Sequence, residues 1–236
     1  MTFVLVAMAI VAVTSAVHGA VGFGVNLLAV PVLVIVDPAY VPGPAVAAGL
    51  LLSVLVARGE GLAVDRRLGW AAAGLLPGTA AALLLLTWIS SESLSIAVGV
   101  AVLLAVVLVA VRWRPTPTRA TLAVAGVASG FLATAASVGG PPLALVYADS
   151  DGARLRANLS SFFVLTSVVA LAALTVTGHF NQRELRLTVL LVPAVVVGYL
   201  ASRPLRSWVD AGHARSVVLA LSATAGTVAV VQGIFF

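Results

Sequence analysis

The chain contains no cysteine, and all of its 13 basic residues are arginine. Charge is scarce: 9% of the 236 residues carry one. Soluble domains carry about 25% charged residues, so this chain cannot clothe a water-facing surface. The missing cysteine says nothing about redox compartment here, but it removes one class of nucleophile and metal ligand. The eight acids (Asp37, Glu60, Asp65, Glu92, Asp149, Asp151, Glu184, Asp210) all fall in polar breaks, and the three histidines (His18, His179, His213) stand far apart. A membrane enzyme needs a nucleophile–base set, paired carboxylates or a metal cluster, so these absences argue against catalysis. The start of the chain lacks a basic n-region and a small-residue cleavage site, and reads as mature sequence.

What remains is apolar. Hydrophobic residues make up 61% of the chain, and the mean hydropathy is +1.17. The runs 69–89, 94–111, 158–177 and 216–236 are long enough to cross a hydrocarbon core of about 30 Å at about 1.5 Å per helical residue. The expected class is an all-α polytopic membrane protein. The arginines lie almost wholly in loops and so report orientation, not nucleic-acid binding.

Polar breaks fall at 37–44, 58–68, 90–93, 112–119, 148–157, 178–186 and 202–215. The stretch RWRPTPTR (112–119) reads as a linker, since Pro115 and Pro117 oppose helix and the charges oppose lipid. It divides the chain into two transmembrane repeats, 1–114 and 115–236. At one offset of 111 residues, Gly19 and Pro31 pair with Gly130 and Pro142. Shifted slightly further, GLAVDRRL (61–68) aligns with GHFNQREL (178–185), and Pro77 falls opposite Pro193. Internal duplication is a recurrent plan of secondary transporters.

The distribution of arginine decides between two threadings. If 2–36 and 120–147 each cross once, the arginines divide 8 to 5 between the faces. If both are re-entrant hairpins, loops 58–68, 112–119, 148–157 and 202–215 share a face, and the division is 11 to 2. Arginine bias in short loops sets orientation, which favours hairpins. Each half is then a hairpin plus three crossings, and the repeats are inverted. As one straight helix, 2–36 would run to about 52 Å, well beyond the core.

The hairpin tips are the glycine-rich breaks at 18–31 (HGAVGFGVNLLAVP) and 130–142 (GFLATAASVGGPP). Non-helical backbone at membrane depth is tolerated where protein buries it or a cavity wets it. Gly19, Gly22 and Gly24 permit positive φ and close approach. A helix that resumes after a break presents free N–H groups and a positive dipole end, which favour an anion. The apolar runs contain no arginine. A bound anion would therefore need backbone N–H groups and neutral donors: Asn26, Thr134, Ser137, Asn158 and Ser160, beside Gly139, Gly140 and Pro141. His18 is the ionisable side chain set deep beside a break. Arg156 reads as a positive-inside anchor at the mouth of its span. Thr166 and Ser167 read as bonding to their own helix or a neighbour.

These segments carry a resemblance. GAVGFGVNLLAVPVL, its counterpart GFLATAASVGGPPLALVY and the following LRANLSSFFVL are similar to the TauE/SafE family of sulfite exporters and toluenesulfonate-uptake permeases, over essentially the full length. The family pattern G-x-G-G-P is kept well in SVGGPP, with Ser137 at its first position. The first motif is thinner in glycine (Gly22, Phe23, Gly24, Val25, Asn26), and Asn158, Leu159, Ser160 stand where the family has a threonine–serine pair. The resemblance implies a proton-coupled secondary transporter of sulfite or an organosulfonate. Its partners would be that anion, protons and the bilayer, with no nucleic acid and no cofactor, and with homodimerisation left open. Its expected place is a bacterial cell membrane. The alternative is a passive anion channel or a membrane subunit of a larger complex. The residues expected at the substrate are His18, Gly22, Phe23, Gly24, Asn26, Thr134, Ser137, Gly139, Gly140, Pro141, Asn158 and Ser160, and no residue is expected to bind metal.

Overall fold

A computed structural model describes residues 2–21, 25–60, 65–88, 91–110, 115–148, 150, 152–210, 223–224, 226–228 and 230–231; among them the regular structure is helical, with no strand. The order is α1 (Thr2–Val21), α2 (Val25–Val36), a 3-10 turn (Pro38–Tyr40), α3 (Gly43–Glu60), α4 (Leu68–Trp88), α5 (Ser91–Ala110), α6 (Arg119–Ala136), α7 (Gly140–Val146), α8 (Gly152–Val176) and α9 (Gln182–Asp210). Among the described residues, five stretches are long and apolar enough to cross a membrane: Val4–Val21, Leu68–Trp88, Arg119–Ala136, Ala153–Val176 and Gln182–Leu205. The chain is a multi-pass membrane protein. Its outer surface agrees, since Leu84, Val124, Val176, Val189 and Val197 are all well exposed, as suits a hydrocarbon solvent.

Local chemistry sets the boundaries. In the linker, Thr118 Oγ1 accepts from the Thr121 N–H at 3.2 Å while Thr121 Oγ1 accepts from the Thr118 N–H at 2.9 Å, a reciprocal cap that starts α6. The Arg119 guanidinium lies 5.3 Å over the Trp70 ring, tying the linker to the start of α4. Asp37 Oδ1 accepts from the Ala39 N–H at 2.8 Å and turns the chain after α2.

Helix α4 lies along α6, α1 lies along α9, and α3 packs against α8, with further contacts of α3 on α9 and α4 on α8. Lipid supplies no hydrophobic drive between helices, so close van der Waals approach of small residues must hold them. A Cβ at Gly126 would collide with the Ala71 carbonyl, and one at Gly78 with the Val127 carbonyl. On the other pair, a Cβ at Gly198 would strike the Ala12 carbonyl and one at Gly19 the Ser202 hydroxyl. Contacts ascend together (Ala71 to Gly126, Leu75 to Gly130; Ala12 to Gly198, Gly19 to Ser202), so both pairs are parallel.

Several sequence expectations shift. Of the break expected over 18–31, residues 18–21 and 25–31 are helical, in α1 and α2, and 22–24 lie outside the described residues; the one over 130–142 narrows to 137–139. Apolar contact carries helix through the rest, and Pro31 sits inside α2. The loop expected at 202–215 is helix as far as Asp210, running through Pro193 and Pro204. There Ser202 is buried against α1 and Arg203 lies 5.7 Å over the Tyr199 ring. Glu60, Glu92, Glu184 and Asp210 occupy end turns of helices, and α8 begins at Gly152, inside the expected loop 148–157. Arg156, expected as an exposed anchor, is buried, with 6% of its surface exposed. Most of the run 216–236 lies outside the described residues.

Candidate functional site

The second break is built by a serine. Helix α6 ends at Ala136, and Ser137 turns into the left-handed region at φ 59, ψ 16. The Val138 N–H then reaches back to the Leu132 carbonyl at 3.0 Å and the Ser137 N–H to Ala133 at 2.9 Å, satisfying carbonyls that the helix end leaves open. Left-handed backbone costs a non-glycine residue about 1–2 kcal/mol. Two contacts hold it there: Ser137 Oγ donates to the Pro42 carbonyl at 2.8 Å, and the Ser137 carbonyl accepts from Asn26 Nδ2 at 2.8 Å. The glycines serve approach rather than handedness. Gly139 has φ −76, and a Cβ there would lie 2.7 Å from the Ala133 Cβ and 2.9 Å from the Ser129 carbonyl. Gly19, expected to turn the chain, is helical within α1.

Asn26 is the centre of the arrangement. Its Nδ2 donates both to Ser137 and to the Ala45 carbonyl at 3.2 Å, so the first turn of α2 is tied to α3 and to the α6–α7 break. Gly49 lets it fit, since a Cβ there would stand 3.2 Å from Nδ2. Around these groups lies a cavity of about 50 Å³, lined by His18, Asn26, Gly49, Ser53, Ser137, Gly139, Gly140, Pro141, Phe163, Thr166 and Ser167 together with apolar neighbours. The His18 ring lies 6.0 Å from the Phe163 ring, tilted by 58°.

Of the expected site residues, His18, Asn26, Ser137, Gly139, Gly140 and Pro141 meet at this cavity. Thr134 does not; it is buried toward α4, with its hydroxyl 3.4 Å from that of Thr79. Asn158 and Ser160 are buried on α8 outside the lining, and Asn158 Oδ1 and Ser160 Oγ have no hydrogen-bond partner among the described residues. Gly22, Phe23 and Gly24 lie outside the described residues. Sequence reasoning missed Gly49, Ser53 and Phe163. It also assigned Thr166 and Ser167 to ordinary helix bonding. Thr166 does donate to the Phe162 carbonyl at 2.9 Å, yet it lines the cavity as well. Their signal was available: a Thr–Ser pair in the middle of the run 158–177.

The lining is mostly apolar, and its polar side chains besides His18 are neutral amide and hydroxyl groups. Asn26, Ser137 and Thr166 give their protons to protein carbonyls, and Ser53, Ser167, Gly139 and Gly140 also line the space. Pro141 and Pro142 have no N–H to offer. Among the described residues no group of three His, Asp or Glu is placed to hold a metal ion. Such a site suits a small anion held by dipoles and hydroxyls.

A family model described as sulfite exporter TauE/SafE matches residues 7–228, in agreement with the resemblance carried by the glycine-rich segments. No curated protein and no solved structure matches the chain.

Proposed function

The chain belongs to the sulfite exporter TauE/SafE family, a family of membrane transporters of sulfur anions, and from that premise we propose that it is a secondary transporter that holds one small sulfur oxyanion at the helix break beside Asn26 and Ser137. The observation that carries this reading is the cavity of about 50 Å³ at that break. About 10–15 Å³ of such space holds one water, so the cavity has room for a compact ion such as sulfite. The second pKa of sulfite lies near neutrality, so a coupled proton can travel on the substrate itself. His18 supplies the ionisable side chain in the lining.

The inverted-repeat architecture draws support from packing. When a two-fold operation relates two halves, contacts come in reciprocal pairs, and a residue meets its own counterpart only where the axis passes. With α1 matched to α6, α3 to α8 and α4 to α9, the contact of α1 on α9 is the counterpart of α6 on α4, and that of α3 on α9 the counterpart of α8 on α4. The helices α3 and α8 are counterparts that touch each other. So are Asn26 and Ser137, 111 residues apart. The cavity then sits on the axis, where transporters of this plan hold substrate.

Two loop contacts favour the hairpin threading. Arg183 Nη2 lies 3.2 Å from Asp37 Oδ2, and the Tyr147 hydroxyl donates to Asp65 Oδ2 at 3.2 Å. Burial first, then the Asp65 carboxylate, push the Tyr147 phenol above its usual pKa, so it remains a donor at neutral pH. If 2–36 and 120–147 each crossed once, both pairs would straddle the membrane. In the hairpin threading Asp37 and Arg183 share the outer face, while Asp65 and Tyr147 share the cytoplasmic one. In this threading residues 58–68 and the end of α9 face the cytoplasm.

A thermal-shift panel of sulfite, sulfate, thiosulfate, taurine, sulfoacetate and aliphatic carboxylates on detergent-solubilised protein tests the reading, because a ligand selective for the native state raises apparent stability. A shift with a small sulfur oxyanion and saturable flux of it into proteoliposomes are expected. Conductance that never saturates, or no shift with any of these anions, overturns the proposal.

A further inference from the structure

We infer that Arg156 and Ser160 form the cytoplasmic half of the anion path, with Arg156 selecting negative charge; the inference rests on the transporter reading above. Arg156 is 6% exposed and Ser160 is fully buried, while Arg154 on the same helix turn is exposed. An anchoring arginine keeps its head in interfacial water, and Arg154 is placed to do that. Arg156 lies too deep at the start of its spanning helix to serve as an interfacial anchor, and ionisable residues at such depth mark ion pathways.

Helical spacing joins this cation to the cavity. At 3.6 residues per turn, positions 156, 160, 163 and 167 fall within about 60° of one another on α8. Phe163 and Ser167 line the cavity. Helical side chains lean toward the N-terminus, so Arg156 reaches toward the cytoplasmic mouth and Ser160 stands between mouth and cavity. The Ser160 hydroxyl has no hydrogen-bond partner among the described residues, and a buried polar group in that state costs stability unless something transient uses it. On the outer side, the first ten residues of α3, GPAVAAGLLL, contain neither a charge nor a hydroxyl.

The test uses the full-length chain in oriented proteoliposomes. With Ser160→Cys the sole thiol, alkylation from the cytoplasmic side by anionic iodoacetate and by neutral iodoacetamide is compared, each normalised to a free thiol. A normalised preference for iodoacetate that disappears in Ser160→Cys/Arg156→Gln is expected. No reaction with either reagent, or no preference for the anion, overturns the inference, and this arm does not depend on Arg156→Gln folding. In transport, Arg156→Gln should raise the KM for sulfite presented from the cytoplasmic side by about tenfold to a hundredfold with little change in kcat, the equivalent of one charged hydrogen bond. Arg156→Lys should restore most of the affinity. Equal loss in Arg156→Lys and Arg156→Gln with unchanged KM would mark a structural role instead. If the wild type binds and moves sulfite but Cys at 160 is inert, this inference alone fails; if the wild type does neither, the transporter reading fails.

Discussion

Asn26 Nδ2 donates to the Ser137 carbonyl at 2.8 Å across 111 residues of sequence, the same offset that pairs Gly19 with Gly130 and Pro31 with Pro142. The bond ties the first turn of α2 to the turn between α6 and α7 at one point. Replacing Asn26 with leucine leaves the Ser137 and Ala45 carbonyls without their partner. Each unpaired buried acceptor costs about 1–3 kcal/mol. Asn26→Leu should lower the thermal midpoint in detergent clearly and abolish transport, and a midpoint equal to wild type would show that the bond carries nothing.

Ser137 separates backbone strain from hydrogen bonding. Ser137→Gly and Ser137→Ala both lose the donor to the Pro42 carbonyl, but glycine adopts the left-handed conformation without the penalty of about 1–2 kcal/mol. Chemical or thermal denaturation should therefore rank Ser137→Gly above Ser137→Ala by roughly 1 kcal/mol. The reverse order would contradict the left-handed cap.

At the α4–α6 seam, Gly126→Ala sets a Cβ against the Ala71 carbonyl, whereas a Cβ at Gly69 meets nothing within 4 Å. Overpacking costs about 1–3 kcal/mol or more, and removing an exposed helical glycine gains about 0.5–1 kcal/mol. Gly126→Ala should unfold markedly earlier than wild type in a detergent melt, and Gly69→Ala at or slightly above it.

Topology can be read in whole cells because the chain has no native thiol. His179→Cys should react with an impermeant maleimide from outside, and Arg66→Cys should react after permeabilisation. Labelling of position 66 but not of 179 in intact cells would overturn the hairpin threading. The Asp37–Arg183 pair is exposed, so Arg183→Gln should cost no more than about 1 kcal/mol.

The sequence by itself determined the class of the molecule, the approximate helix spans and the break between α6 and α7. In hydrocarbon each backbone N–H needs a partner within its own segment, so the length and hydropathy of a run are enough to make it helix. Local cues sufficed for Pro141 at the start of α7. Only the tertiary structure decided which polar side chains meet. Thr134 turns to Thr79 and away from the cavity, while Thr166 and Ser167 turn toward it. That choice depends on the rotation of each helix about its axis, and helices that are apolar all round carry almost no pattern to specify it. Neighbouring backbones specify it instead, through contacts such as Gly126 on Ala71 and Gly198 on Ala12. The left-handed turn likewise falls on Ser137 and not on a flanking glycine, because Pro42 and Asn26, remote in sequence, supply the two hydrogen bonds that hold it.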